Sequence, residues 1–395
     1  MKHFLNSTIL STGFAMFSMF FGAGNVVFPL ALGQIAQDKT IFAIIGLLFS
    51  AVAVPFLGLI TMILFDGNYR AFFSRIGEMP GFIVSCIIMG LIGPFGAIPR
   101  CISLSHSTLS MFLNDGGISL PLFSLLSCVI IFLFTFRPGR ILDLLGYVLT
   151  PFLLLSLGII IIKGMMSTKT MHSSTLGDIN SFLFGFKEGY QTMDLLGAFF
   201  FSSVVLLGLK NDFEPKSKSD FKRLTLLAIK ASLVGAFLLA IIYIGFSFVA
   251  AYYSDSLTLV SQDKLIGAIA LQVLGPYAGI TTSVAVALAC LTTAIALTNV
   301  FAEFLHKDIS KKKLSYFTSL LITLAVTFIV STLDFNGIVK FLSPILQVFY
   351  PSLILLTLLN LLYKLYGITL VKGPVLALFL LTLIFEMYPF ISSIF

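Results

Sequence analysis

Three clusters in this chain carry residue types that could bind a small charged solute. The first is Gly22-Ala23-Gly24-Asn25, set in a run from Gly13 to Pro29 that is otherwise apolar apart from Ser18. Two glycines and an asparagine suit a helix interior poorly. The run therefore reads either as a break whose freed backbone groups bind something or as a helix using glycine for close packing. The second cluster is Lys187-Glu188-Gly189-Tyr190-Gln191-Thr192-Met193-Asp194, polar and glycine-containing, well inside another apolar run. Its acids, Glu188 and Asp194, are the candidate site carboxylates, because ionisable groups at membrane depth face a cavity or pair with one another. The third is Ala289, Thr292 and Thr293, spaced i, i+3, i+4 on one helical face. Two hydroxyls and a carbonyl there suit a hard cation that takes oxygen ligands. Alternatively, the two threonines bond back to carbonyls of their own helix.

The elements that must position these clusters lie in a membrane. Of 395 residues, 58% are hydrophobic and only 10% charged, against about 25% charged in a soluble domain. The mean hydropathy is +1.06, and many apolar runs reach the roughly 20 residues needed to cross hydrocarbon. The formal charge of +7 comes from basic residues in short loops, which marks orientation rather than a nucleic-acid surface. Cys86, Cys101, Cys128 and Cys290 sit singly in apolar spans, so neither a disulfide framework nor a zinc site is indicated. His3, His106 and His172 have no metal-ligand spacing. No P-loop, zinc-protease helix or nucleophile elbow is present. The start of the chain resembles a signal peptide, but its apolar run continues past Gly24 into Val26-Val27-Phe28, which argues for a retained span.

Hydropathy divides the chain into eleven spans, near 8–34, 40–65, 80–112, 118–136, 141–163, 180–209, 225–253, 272–305, 314–332, 336–363 and 373–394. Loops then alternate in charge. One set holds Arg70 and Arg75, Arg137 and Arg140, Lys210 to Arg223, Lys307 to Lys313, and Lys364 with Lys372; the other holds only Lys39, Lys163, Lys169 and Lys264. The basic set is expected to be cytoplasmic, and with it the N-terminus. Residues 254–271 are expected to form an external loop followed by a short amphipathic helix along the surface. The third span is interrupted by Gly93-Pro94-Phe95-Gly96, with Arg100 just beyond, and the tenth contains Pro344 and Pro351. Breaks in spans one and six occupy equivalent places in two halves of five. Five is odd, so the halves enter the membrane from opposite sides, as in the inverted repeats of secondary transporters.

At this point the motifs resemble a known family. Phe20 to Asn25 with Phe28-Pro29 is similar to the first helix of the BrnQ-type branched-chain amino acid:cation symporters. Gly93-Pro94 with Ala97 and Pro99-Arg100 resembles their third helix, and Glu188-Gly189-Tyr190 with Thr192-Met193-Asp194 their sixth. Ala289 to Ile295 with Ala302-Glu303-Phe304 resembles their eighth. The resemblance implies an all-α polytopic protein with a LeuT-like five-plus-five inverted repeat, in one domain over 1–395. Repeat one would span about 8–163, repeat two about 180–363, and an extra helix about 373–394. It implies sodium-driven import of leucine, isoleucine and valine across the cytoplasmic membrane, with no cofactor and no enzymatic activity. Sodium would be held by the carbonyls of Ser18 and Phe21 with Ala289, Thr292 and Thr293. Gly22, Ala23, Gly24 and Asn25 would meet the substrate carboxylate, helped by the positive end of the following half-helix. The cluster of Glu188, Gly189, Tyr190, Thr192 and Asp194 would take the ammonium. Two features depart from the family pattern: eleven spans stand against its usual twelve, which would place the C-terminus outside, and His106 stands where family members often carry glutamate. A proton-coupled permease of the same fold, a passive channel and an intramembrane enzyme are the competing readings.

Overall fold

The computed structural model describes residues 2–112, 117–136, 141–166, 170–212 and 218–392; Arg137, Arg140, Lys169 and the 213–217 part of the polar loop lie outside them. All regular structure among the described residues is helical. The first predicted span is two helices, α1 (Lys2–Phe20) and α2 (Ala23–Ala36). The second is α3 (Thr40–Leu48) and α4 (Val54–Leu64), joined by a π turn at Phe49–Ala53. A short α5 (Tyr69–Phe73) precedes α6 (Glu78–Ile92) and α7 (Ala97–Ser110), the two parts of the interrupted third span. Then come α8 (Leu120–Phe136), α9 (Ile141–Met166), α10 (Asp178–Gln191), α11 (Asp194–Asp212) and α12 (Lys218–Tyr252). The chain closes with α13 (Ser254–Leu257), α14 (Leu265–Phe304), α15 (Tyr316–Ser331), α16 (Asp334–Tyr366) and α17 (Lys372–Ser392).

Packing sorts these helices into two groups. In one, α12 lies along both α1 and α2, α3 packs on α10, and α4 on α11. In the other, α14 packs on α7, α8, α9 and α15, and α15 on α8. Small residues set the closest approach in the first group. At the α3–α10 crossing a Cβ on Gly185 would lie 1.9 Å from the Ala43 carbonyl, and one on Gly46 would lie 2.1 Å from that of Phe182. Only glycine lets two backbones meet this closely, a common device between membrane helices. Large apolar side chains such as Leu133, Ile162, Ile329 and Ile384 are exposed, as on a surface facing lipid rather than water.

The region 254–271 differs from expectation. After α13 a short loop and a 3-10 turn at Gln262–Lys264 lead into α14, and Leu265, Ile266, Ala268, Ile269 and Ala270 are buried instead of lying on a surface. The reason is compositional: Leu265-Ile266-Gly267-Ala268-Ile269-Ala270 has no polar face to present. Gly275, at φ 81°, followed by Pro276, then bends α14, because proline cannot donate into the helical ladder.

Candidate functional site

Two helix breaks meet at the junction of the two groups. α1 stops at Phe20; Gly22 is extended, and its N–H donates to Asn25 Oδ1 at 3.1 Å. Asn25 therefore caps its own half-helix from the third position, as in one arm of a capping box. α10 stops at Gln191, and Met193 adopts φ 59° before Asp194 opens α11. A left-handed backbone is strained for a residue with a side chain, and such strain concentrates at functional sites. The N-terminal ends of α2 and α11 and the C-terminal end of α10 thus converge, bringing the partial charges of helix termini to one place.

The side chains tie the breaks together. Asn25 Nδ2 donates to both Asp194 carboxylate oxygens, at 3.0 and 2.8 Å, and lies against the Tyr243 hydroxyl. Tyr243, on α12, donates to Asp194 Oδ2 at 2.9 Å. All three are buried, and each meets the requirement that buried polar groups be bonded. On the other side Arg100, from α7, reaches the end of α10. Its Nη1 donates to the Gln191 carbonyl at 2.8 Å and its Nη2 to Gln191 Oε1 at 3.0 Å. Gln191 Nε2 in turn donates to Ser343 Oγ on α16 at 2.9 Å. A cation at a helix C-terminus is favourably placed against its carbonyls.

A cavity of about 50 Å³ lies between these groups, room for a few waters. Its walls combine Gly22, Ala23, Gly24, Asn25, Thr192 and Asp194 with Arg100 and an apolar surface that includes Phe20, Ile92, Phe201 and Leu297. A larger polar cavity of about 470 Å³, lined by Gln34, Ser254, Thr258 and Asn336 among others, lies at the far end of α2.

Beside the first break, Thr293 Oγ1 is 3.4 Å from the Phe21 carbonyl and 3.0 Å from that of Ala289. Thr292 Oγ1 donates to the same Ala289 oxygen at 2.9 Å. The two threonines thus bond back along α14, and Thr293 Oγ1 also reaches the carbonyl at the break. Oxygens of Phe21, Ala289, Thr292 and Thr293 are gathered in one place, and Ser18 lies just before the break on α1.

The remaining candidates from the sixth span do not line the cavity. Gly189 packs against Ser50, Tyr190 stacks on Tyr350 with ring centroids 4.5 Å apart, and Glu188 lies within α10, short of the break. Three groups at the junction were not singled out from sequence as site residues: Arg100, Gln191 and Tyr243. The first two sit in clusters already marked as polar interruptions. Tyr243 is signalled only by a lone hydroxyl within Ile241-Ile242-Tyr243-Ile244, where a buried tyrosine must find a partner.

Paired broken helices around a small mixed cavity, in an otherwise apolar helical protein, are an arrangement found in membrane transporters. The fold agrees with solved structures of that class. The inward-facing conformation of Mhp1 superposes with a TM-score of 0.64 at 16% identity, covering 90% of this chain and 77% of that one. The closed conformation of Mhp1, a nucleobase-cation-symport-1 family transporter with bromovinylhydantoin bound, gives 0.57 at 16% identity, covering 96% and 93%. The chain belongs to the branched-chain amino acid transport protein family, whose model matches residues 5–393. The branched-chain amino acid permease BrnQ of Bacillus subtilis (strain 168) is 31% identical over 372 residues, 91% of this chain and 82% of that protein. Family and fold are those of a LeuT-like membrane transporter and not of an enzyme.

Proposed function

We propose that this protein imports leucine, isoleucine and valine across the cytoplasmic membrane, coupled to sodium, by alternating access. The observation that carries the reading is the meeting of the two breaks at Asn25 and Asp194 on the wall of a cavity with an apolar side. An α-amino acid with an aliphatic side chain needs such a surface. Its carboxylate suits the N-terminal end of α2 at Gly22 to Asn25. Its ammonium suits Asp194 and the backbone around Thr192, and its side chain the wall of Phe20, Ile92, Phe201 and Leu297. The coupling ion suits the oxygens of Phe21, Ala289, Thr292 and Thr293, with Ser18 completing the set; uncharged oxygen ligands fit a hard monovalent cation.

In this scheme the ion ties α1 to α14, one helix from each packing group, and so favours one access state. Substrate then completes the junction of the breaks, and the two groups rock about it. Basic loops such as the one holding Arg70 and Arg75 would face the cytoplasm.

A second reading is favoured by one observation. Asp194 is a buried carboxylate held only by neutral donors, a group able to carry a proton. Uptake of radiolabelled amino acids into proteoliposomes separates the two. The sodium reading expects saturable leucine, isoleucine and valine uptake driven by an inward sodium gradient, with counterflow. Uptake indifferent to sodium and collapsed by a protonophore would overturn it in favour of proton coupling, and flux linear in concentration would indicate a channel.

A further inference from the structure

One buried charge has no part in the scheme above. Arg100 is 1% exposed and lines the central cavity. Its direct contacts are neutral: the Gln191 carbonyl and amide oxygens and the face of Phe28, 5.4 Å from the guanidinium carbon. Nε has no hydrogen-bond partner. No ion pair to Arg100 forms among the described residues. Glu188 on α10 attracts it from beyond ion-pair distance, and Glu188 Oε2 is likewise without a partner. On the same cavity Asp194 is bonded to Asn25 and Tyr243, again without a direct ion pair. A cation and an anion are thus buried on one small cavity and not closed on each other. Removing a charge from water without a counter-charge is expensive, and the expense is relieved when a partner of opposite sign arrives.

We propose that Arg100 binds the carboxylate of the transported amino acid, opposite Asp194, so that the cavity selects a zwitterion. This rests on the amino acid reading given above and adds a side-chain anchor from α7 to the backbone of α2. Two of the guanidinium's N–H donors reach Gln191, which leaves the rest of the fork for a carboxylate, the anion its planar geometry matches. The same contact to Gln191 links carboxylate capture to the end of α10, where the ammonium side of the site begins. Amines without a carboxylate and 2-oxo acids without an ammonium each leave one buried charge unmet.

The test is titration calorimetry of leucine and of leucinol, which lacks the carboxylate, against purified full-length protein in sodium. Wild type is expected to prefer leucine by about 100-fold or more, since a site built for a polar group rejects the analogue lacking it. Arg100→Gln is expected to weaken leucine by about 100-fold while leaving leucinol within a few-fold, so that the preference collapses. Arg100→Lys keeps the charge without the fork and is expected to lose about tenfold for leucine alone. A purely structural role, capping α10, would weaken both ligands equally and leave their ratio unchanged, which overturns the proposal. If Arg100→Gln does not fold, an unchanged leucine-to-leucinol ratio in Arg100→Lys, or a wild type that binds leucinol as well as leucine, overturns it instead. A folded wild type that binds no branched-chain amino acid strikes the functional reading itself.

Discussion

Replacing Gly24 with alanine tests whether the two breaks must touch. A Cβ there would lie 3.0 Å from Thr192 Cα, 3.1 Å from the Gln191 carbonyl oxygen and 3.3 Å from that of Thr192. All three atoms are backbone, so no side chain can swing aside. Carbon–carbon contacts settle at roughly 3.5–4.0 Å, and the breaks must part by about half an ångström or more. Overpacking of this kind costs about 2–3 kcal/mol when nothing can rotate away. Alanine's better helix propensity offsets about 1 kcal/mol. The net, about 1–2 kcal/mol, falls on the junction held by the Asn25–Asp194 bonds, and corresponds to about a 5- to 30-fold loss of leucine affinity. Gly158→Ala, on α9 away from the cavity, is the control: nothing lies within 4 Å of a Cβ there. A scintillation proximity assay with radiolabelled leucine, run beside thermal melting, reads both variants. Gly24→Ala binding leucine like wild type, or Gly158→Ala proving as harmful, would refute the close contact as a requirement.

Two further substitutions probe the flanks of the site. Thr293→Val keeps the side chain's shape but removes the oxygen that faces the Phe21 carbonyl, and is expected to raise the sodium concentration for half-maximal leucine uptake by about tenfold or more, whereas Thr293→Ser should stay near wild type; the measurement is uptake against sodium at constant protein abundance. Tyr243→Phe removes the hydroxyl that donates to Asp194 and is expected to reduce leucine affinity by about 5- to 100-fold, read in the same binding assay, with unchanged affinity counting against Asp194 as an organised site carboxylate.

The broken spans were legible because glycine and polar residues inside apolar runs violate the local rule for membrane helices. Gly22 to Asn25 and the cluster ending at Asp194 both stand out in this way, and both fall at observed breaks. Where inside the second cluster the chain turns was not legible. Glu188, Gly189 and Tyr190 have the same polar and small character as Thr192, yet Gly189 packs against Ser50, Tyr190 stacks on Tyr350, and Glu188 lies within α10 short of the break. The turn falls at Met193, an apolar residue with no composition signal, because the ends of α10 and α11 are fixed by Arg100 and by Asn25 from elsewhere in the chain. Such contacts join residues 91 and 169 positions apart, and a single sequence holds no record of them. Tyr243 was hidden for the same reason: in its own span it is one more bulky residue. The buried arm at Leu265 to Ala270 was misjudged as a surface helix, although its uniformly apolar composition already argued for burial.

The location of the substrate is the central claim, and a structure determined in saturating leucine and sodium tests it most directly. Density for leucine is expected between Gly24 and Asp194, its carboxylate toward the start of α2 and Arg100 and its side chain toward Phe20 and Phe201. Leucine bound instead in the polar cavity near Gln34 and Asn336, with the junction of the two breaks empty, would contradict the account.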